Sequence, residues 1–224
     1  MKLVFLGNSL TQGSYGGNFV ARIAQCHPQH TIINAGVGGD TVLNLLRRLD
    51  SDVLAHEPDG VFVMGGGNDA LSYLYPDLRK YYRRSKGIEQ GVVTPETFAQ
   101  AYRELLTRLH LAHVLVWVGL LPSEYNPELS ALVRQYNGLA AAAARALNIP
   151  TLDLMARFPA PDLPPRPPLT MDMIRLIGKR SLSGWADYEA EQQRGAYRYT
   201  FDGLHITPKT AQQLADIIIE FLDL

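Results

Sequence analysis

Ser9 stands directly after the apolar run Leu3-Val4-Phe5-Leu6, in the segment Gly7-Asn8-Ser9-Leu10-Thr11. Far along the chain, Asp202-Gly203-Leu204-His205 sets a carboxylate three residues ahead of an imidazole. These are the parts of a nucleophilic hydrolase. A serine hydroxyl must lose its proton as it attacks, so it needs a base, and imidazole can take that proton and return it to a leaving group. The base in turn needs an orienting partner, and side chains at positions i and i+3 of one turn reach each other. Each residue also has a plain structural reading. Ser9 can cap a following helix, and Asp202 can be a turn residue beside Gly203.

Two further segments add donors to this set. Asn34-Ala35-Gly36-Val37-Gly38-Gly39-Asp40-Thr41 follows the run Thr31-Ile32-Ile33, and Gly65-Gly66-Gly67-Asn68-Asp69 follows Val61-Phe62-Val63-Met64. Acyl transfer needs hydrogen-bond donors aimed at the oxygen that becomes negative in the tetrahedral intermediate. Glycine lets its backbone N–H approach closely, and asparagine offers a neutral side-chain donor. Read structurally, the glycines make turns and Asp40 and Asp69 cap the next helices, which leaves Asn68 without a role.

Taken together the chain resembles the SGNH or GDSL-like hydrolases of the lipase and acylhydrolase type. Gly7-Asn8-Ser9-Leu10 resembles the nucleophile block, and Gly39 in Gly39-Asp40-Thr41 the glycine block. Gly66-Gly67-Asn68-Asp69 resembles the asparagine block and Asp202 to His205 the terminal Asp-x-x-His block. The resemblance spans residues 2 to about 222. It implies Ser9 as nucleophile, His205 as base and Asp202 as its orienting partner. It further implies an oxyanion hole made of the Ser9 and Gly39 backbone N–H groups and the Asn68 side chain. The chain departs from the family at Asn8, where aspartate is usual; asparagine keeps the size and an acceptor but not the charge.

The elements that must position these residues are legible as alternation. Runs at 2–6, 31–34, 60–64, 113–119 and 149–153 read as strands. Val42, Leu45, Leu46, Leu49 and Val53 recur at helical spacing in 41–54, as do Leu129, Leu132, Val133, Tyr136, Leu139, Ala140 and Ala143 in 127–147. Thr94-Pro95, Asn126-Pro127 and Thr207-Pro208 pair a capping residue with proline at the first helical position. This alternation predicts an α/β fold, a three-layer sandwich with a mostly parallel five-stranded sheet. Ligands in such sheets bind beyond the carboxyl ends of the strands, where Ser9, Gly39 and Asn68 all fall. The family resemblance implies the flavodoxin-like strand order 2-1-3-4-5.

The whole of 1–224 reads as one domain with insertions at about 70–94 and 156–200. The first holds Tyr73, Tyr75, Tyr81 and Tyr82 among basic residues; the second runs through Pro164-Pro165-Arg166-Pro167-Pro168 to Tyr188, Tyr197 and Tyr199. Both leave strand ends on the side of the expected site, and long connections in compact domains are often functional. The expected substrate-pocket residues are Tyr73, Trp185, Tyr188, Tyr197 and Tyr199, with 156–200 forming a cap beside Ser9 that its prolines stiffen into a preformed wall. Read structurally, the same segments are a solvated basic face and a proline-stiffened loop.

Composition limits the partners. Lys and Arg number 21 against 22 Asp and Glu, a formal net charge of -1, which argues against nucleic acid and anionic membranes as partners. The single cysteine, Cys26, excludes an intrachain disulfide and is expected in the core at the end of the first helix. The six histidines show no His-Glu-x-x-His pattern, so neither a metal nor a cofactor is expected. No stretch approaches the roughly 20 apolar residues of a membrane span. Polar residues interrupt the opening apolar run too early for a signal peptide, which predicts a cytoplasmic protein unless a native leader is missing from the sequence. The sequence carries no argument for a homo-oligomer.

The expected function is therefore a serine esterase or acylhydrolase acting on a small-molecule acyl ester through an acyl-enzyme. A short-chain ester, an acetylated sugar, a lysophospholipid and a thioester all remain open as substrates. An acyltransferase using the same three residues is the near alternative. A flavin- or nucleotide-binding module, with Ser9-x-Thr11-x-Gly13-Ser14 cradling a phosphate, is the distant one, and it leaves Asn68, Asp202 and His205 unused.

Overall fold

The computed structural model describes all of residues 1–224. Five parallel strands form one sheet: β1 (Lys2–Gly7), β2 (Thr31–Gly36), β3 (Gly60–Met64), β4 (Leu115–Leu120) and β5 (Thr151–Asp153), in the order β2-β1-β3-β4-β5. That is the expected order. Its logic is visible in burial, since every residue of β3 is buried while the edge strands β2 and β5 are partly exposed. The register pairs Gly7 with both Gly36 and Met64, so the carboxyl ends of β1, β2 and β3 are level. The chain leaves β1 toward β2 and returns past it to β3, which puts the end of β1 at the point where the strand order reverses.

The helices, in chain order, are α1 (Ser9–Gln12), α2 (Phe19–Cys26), α3 (Val42–Arg47), α4 (Leu49–Asp52), α5 (Gly67–Leu74), α6 (Arg79–Ser85) and α7 (Pro95–Leu111). They continue with α8 (Pro127–Ala146), α9 (Leu154–Arg157), α10 (Met171–Ser183), α11 (Tyr188–Arg194) and α12 (Pro208–Leu222). Helices cover both sides of the sheet: α2 packs with α12, and α7 with both α3 and α8. The proline-marked helix starts form as expected. The side chains of Thr94, Asn126 and Thr207 accept from the N–H groups of Thr97, Leu129 and Thr210, each with proline next in sequence. Side chains of the sheet and both layers join one hydrophobic cluster, in which Phe5 and Phe62 meet with ring centroids 5.6 Å apart. Burying side chains of this size contributes roughly 1.5–3 kcal/mol each.

Three local expectations are corrected. The stretch 41–54 is two short helices rather than one, because the backbone turns at Arg48 (φ −102°, ψ 10°). There the guanidinium folds inward to reach Asp40 at 2.8 Å, Asp52 at 3.1 Å and the Gly7 carbonyl at 2.9 Å. Cys26 ends α2 as expected but is exposed, on the solvent side of an amphipathic helix whose buried residues are Phe19, Val20 and Ile23. Asp40 and Asp69 do not cap the helices that follow them. Asp40 is buried and ion-paired to Arg48 and Lys86, while both oxygens of Asp69 accept from Val42 N–H, capping α3 from a different segment.

Candidate active site

The turn after β1 shapes the environment of Ser9. Asn8 is buried and caps α1, its Oδ1 accepting from Leu10 N–H at 3.2 Å, so the neutral residue in place of aspartate still performs the cap. Ser9 is then the first helical residue, and its own N–H has no intrahelical acceptor. Gly13 closes the turn at φ 65°.

The far segment reaches back to this point. His205 Nε2 lies 3.0 Å from Ser9 Oγ, and its Nδ1 lies 2.8 Å from Asp202 Oδ2. The other carboxylate oxygen of Asp202 accepts from His205 N–H at 2.7 Å and Leu204 N–H at 2.9 Å. Burial alone would favour the neutral acid. The His205 ring beside it and these N–H donors outweigh burial and hold Asp202 below the usual carboxylate range. Tyr15 meets the imidazole edge to face at 5.1 Å, and Phe201 flanks it at 6.1 Å.

Two more donor groups face the same space. Gln12 Oε1 accepts from Gly38 N–H at 3.0 Å, which sets the loop after β2. The next N–H, that of Gly39, donates to no atom of the chain. Gly39 has φ 79°, and a Cβ there would collide with Tyr81 Oη, so glycine is required on both counts. Asn68 sits in the first turn of α5, where its Nδ2 donates to the Asp40 carbonyl at 3.1 Å and its Oδ1 accepts from Tyr82 Oη at 2.9 Å. One hydrogen of Nδ2 remains for a ligand.

Ser9, Gly39, Asn68 and His205 border one cavity of about 330 Å³, within the range of small-molecule sites. Beyond them its wall is partly apolar, with Leu71 from α5, Leu121 after β4, Val133 from α8, and Met173, Ile174 and Ile177 from α10, beside polar residues such as Gln12, Ser123, Ser181 and Thr200. The expected cap at 156–200 therefore contributes through aliphatic residues. Of the aromatic residues expected in the wall, Tyr199 borders the cavity and the other four do not. Tyr73 is 41% exposed on the outer face of α5. Trp185 and Tyr188 stand one layer back, packed on Tyr15 and Phe201, which themselves flank His205. Tyr197 lies under the Arg166 guanidinium (4.2 Å) and borders a separate cavity on the Asp202 side. Bulk and polarity marked these rings as wall residues, but on a fold whose cap packs through aromatics they serve as its foundation.

Sequence reasoning missed Glu124. It is 2% exposed, in the loop after β4, and accepts from Arg198 N–H at 2.8 Å, Tyr199 N–H at 3.0 Å, Thr200 N–H and Thr200 Oγ1 at 2.6 Å. Thr200 Oγ1 accepts in turn from Gly203 N–H at 3.0 Å, so this one carboxylate ties down the approach to Asp202 and His205. A lone Glu in a loop carries no periodic signal. The residues of α10 on the wall, Met173, Ile174 and Ile177, were missed as well, although their spacing is helical and could have marked them.

The sequence pattern of the GDSL-like Lipase/Acylhydrolase family matches residues 5–213. An acetylxylan esterase of Geobacillus stearothermophilus is 35% identical over 86 residues, a match that spans 30% of this chain and 39% of that relative. Among solved structures, an acetyl xylan esterase superposes with a TM-score of 0.67 at 19% identity, covering 99% of this chain and all of that one. A lipase/acylhydrolase from Enterococcus faecalis superposes at 0.65 and 20% identity, covering 99% and 94% of the two chains. At such identities the superpositions speak for the fold; the sequence match over 5–213 speaks for descent, and the chain belongs to the GDSL-like lipase/acylhydrolase family.

Proposed function

We propose that this protein is a serine esterase or acylhydrolase, one catalytic domain that cleaves carboxylic esters through an acyl-enzyme. The observation that carries the reading is the unbroken relay from Ser9 Oγ through His205 to Asp202, at 3.0 and 2.8 Å, opening on a cavity with unused N–H donors. Ser9 Oγ attacks the ester carbonyl carbon while His205 Nε2 takes its proton, and Asp202 holds the imidazole by Nδ1–H. The carbonyl oxygen becomes an oxyanion facing the Ser9 and Gly39 N–H groups and Asn68 Nδ2. Collapse expels the alcohol, which leaves with the proton from His205. Water then repeats the sequence on acyl-Ser9 and releases the acid.

The cavity wall favours an ester whose acyl group extends past acetyl, since aliphatic side chains such as Leu71, Leu121, Val133, Ile174 and Ile177 line the same cavity as Ser9. Relatives described as acetyl xylan esterases favour a second reading, a small acetyl group on a sugar. One experiment separates them and tests the chemistry: a series of p-nitrophenyl esters from acetate to dodecanoate, assayed beside Ser9→Ala. A maximum of kcat/KM at medium length supports the apolar site. A maximum at acetate, with steady decline thereafter, supports the acetyl-sugar reading. Unchanged turnover by Ser9→Ala would place the nucleophile elsewhere. Added alcohols, with ester products measured, distinguish acyl transfer from hydrolysis.

A further inference from the structure

Asn68 depends on its surroundings for the direction of its amide. A carboxamide has two orientations of nearly equal shape, one presenting NH₂ and the other C=O, and only the first stabilises an oxyanion. Two groups bear on the choice. The Asp40 carbonyl, an acceptor, takes one hydrogen of Nδ2 at 3.1 Å. On the other side Tyr82 Oη donates to Oδ1 at 2.9 Å. We infer that Tyr82 is a positioning residue for ester cleavage, its hydroxyl holding the Asn68 carboxamide so that the remaining N–H of Nδ2 points at the reacting carbonyl. This rests on the reading of Asn68 as an oxyanion donor.

The rest of the environment fits this role. Tyr82 is fully buried in α6, within the first insertion, with its ring packed edge to face on Tyr81 at 5.2 Å. Burial pushes its pKa well above the ordinary tyrosine value of 10.0, so the hydroxyl remains a donor throughout the working range of an imidazole base. Tyr82 does not border the cavity, whereas Tyr81 does. The hydrogen bond of its hydroxyl goes to Asn68, so removal of that oxygen acts on the reaction through Asn68. The same helix is anchored to the neighbouring loop, since the Lys86 carbonyl just past its end accepts from Asn44 Nδ2 at 2.8 Å and Lys86 Nζ pairs with Asp40 at 3.0 Å. The segment that supplies the clamp is thus fixed to the segment that supplies Gly39 and the Asp40 carbonyl.

The test is a double-mutant cycle of Tyr82→Phe and Asn68→Ala, with kcat and KM measured on a short p-nitrophenyl ester and folding followed by thermal melting. Phenylalanine keeps the ring packing and removes only the hydroxyl. Tyr82→Phe is expected to lower kcat by roughly five- to tenfold, the loss of one neutral hydrogen bond, with KM unchanged. Asn68→Ala is expected to lower kcat by about 10²–10³. In the Asn68→Ala background Tyr82→Phe should then have no further effect on kcat, because the group it orients is gone. If Asn68→Ala lowers kcat and Tyr82→Phe does not, the positioning role is overturned while the oxyanion reading stands. It is likewise overturned if Tyr82→Phe acts equally in both backgrounds, which marks a general structural effect, or raises KM at constant kcat. If Asn68→Ala itself leaves kcat unchanged, the oxyanion reading falls and the role of Tyr82 falls with it.

Discussion

Asp69 makes folding stability depend on pH in a way that can be worked through. Its carboxyl group is fully buried, and burial, opposed by the Val42 N–H and by its own backbone N–H and reinforced by the charge of Asp40, pushes its pKa from 3.8 up to about 7. The nearby cations do not relieve it, because Arg48 and Lys86 are both paired to Asp40. A folded-state pKa above the unfolded one means that folding favours the protonated form. The contribution to stability is complete below about pH 4 and is lost as pH rises toward 7, since over that range the unfolded chain has released the proton and the folded one has not. About three pH units at about 1.36 kcal/mol each give a loss on the order of 4 kcal/mol. Asp69→Asn removes the titrating group while its amide oxygen can still accept from Val42 N–H. Urea unfolding of both proteins at pH 5 and pH 8 should show the wild type losing more stability than Asp69→Asn between the two, by on the order of 2–3 kcal/mol. Equal losses would refute the reasoning and show that the buried carboxyl is ionised in the fold at both pH values.

Glu124→Gln replaces an acceptor oxygen by a donor and weakens the remaining bonds to the 198–200 backbone, so unfolding by urea should show a loss of about 2–4 kcal/mol, with kcat reduced as the Asp202–His205 segment loosens. Asp202→Asn should lower kcat by up to about 10⁴, yet less than His205→Ala does, as read from initial rates. Because the folded pKa of Asp202 is lowered, its contribution to stability is present above the unfolded pKa and lost as pH falls through the folded one. Acid unfolding curves of Asp202→Asn should therefore lack that loss. Ile174→Trp fills the aliphatic end of the cavity; kcat/KM for p-nitrophenyl octanoate should fall more than about tenfold while the acetate changes by less than about threefold. Equal effects on both esters would move the acyl site away from α10.

What was legible in the sequence follows from how local each cause is. Val61-Phe62-Val63-Met64 reads as a buried strand because β3 is covered on both faces, and Asn126-Pro127 reads as a helix start because cap and proline act within one turn. Ser9, Gly39 and Asn68 lie just beyond the ends of β1, β2 and β3, and Asp202 and His205 just ahead of α12; the structure brings all five to one cavity rim or, for Asp202, directly behind it. The rest depended on contacts distant in sequence. At the break, Arg48 bonds Asp40, Asp52 and the Gly7 carbonyl 41 residues away, and nothing in the apolar spacing of 41–54 announces it. Among the tyrosines of the first insertion, composition does not say which ring turns inward. Tyr73 faces solvent and Tyr82 is buried because of where α6 lies on the loop after β2. Glu124 is legible only once the backbone it binds, 74 to 76 residues later, is in place.

The relay joins two residues 196 positions apart. On a ribosome adding about 5–20 residues per second, the serine precedes the histidine by roughly 10–40 s. If the proposed roles hold, the growing chain carries through that interval a nucleophile with no base, inert toward the esters around it. On the proposed mechanism, catalytic competence thus has to wait for the pairing of two segments 196 positions apart. On the same mechanism, the return of ester cleavage in refolding would report that pairing, readable separately from the helical signal of segments such as α7 and α8.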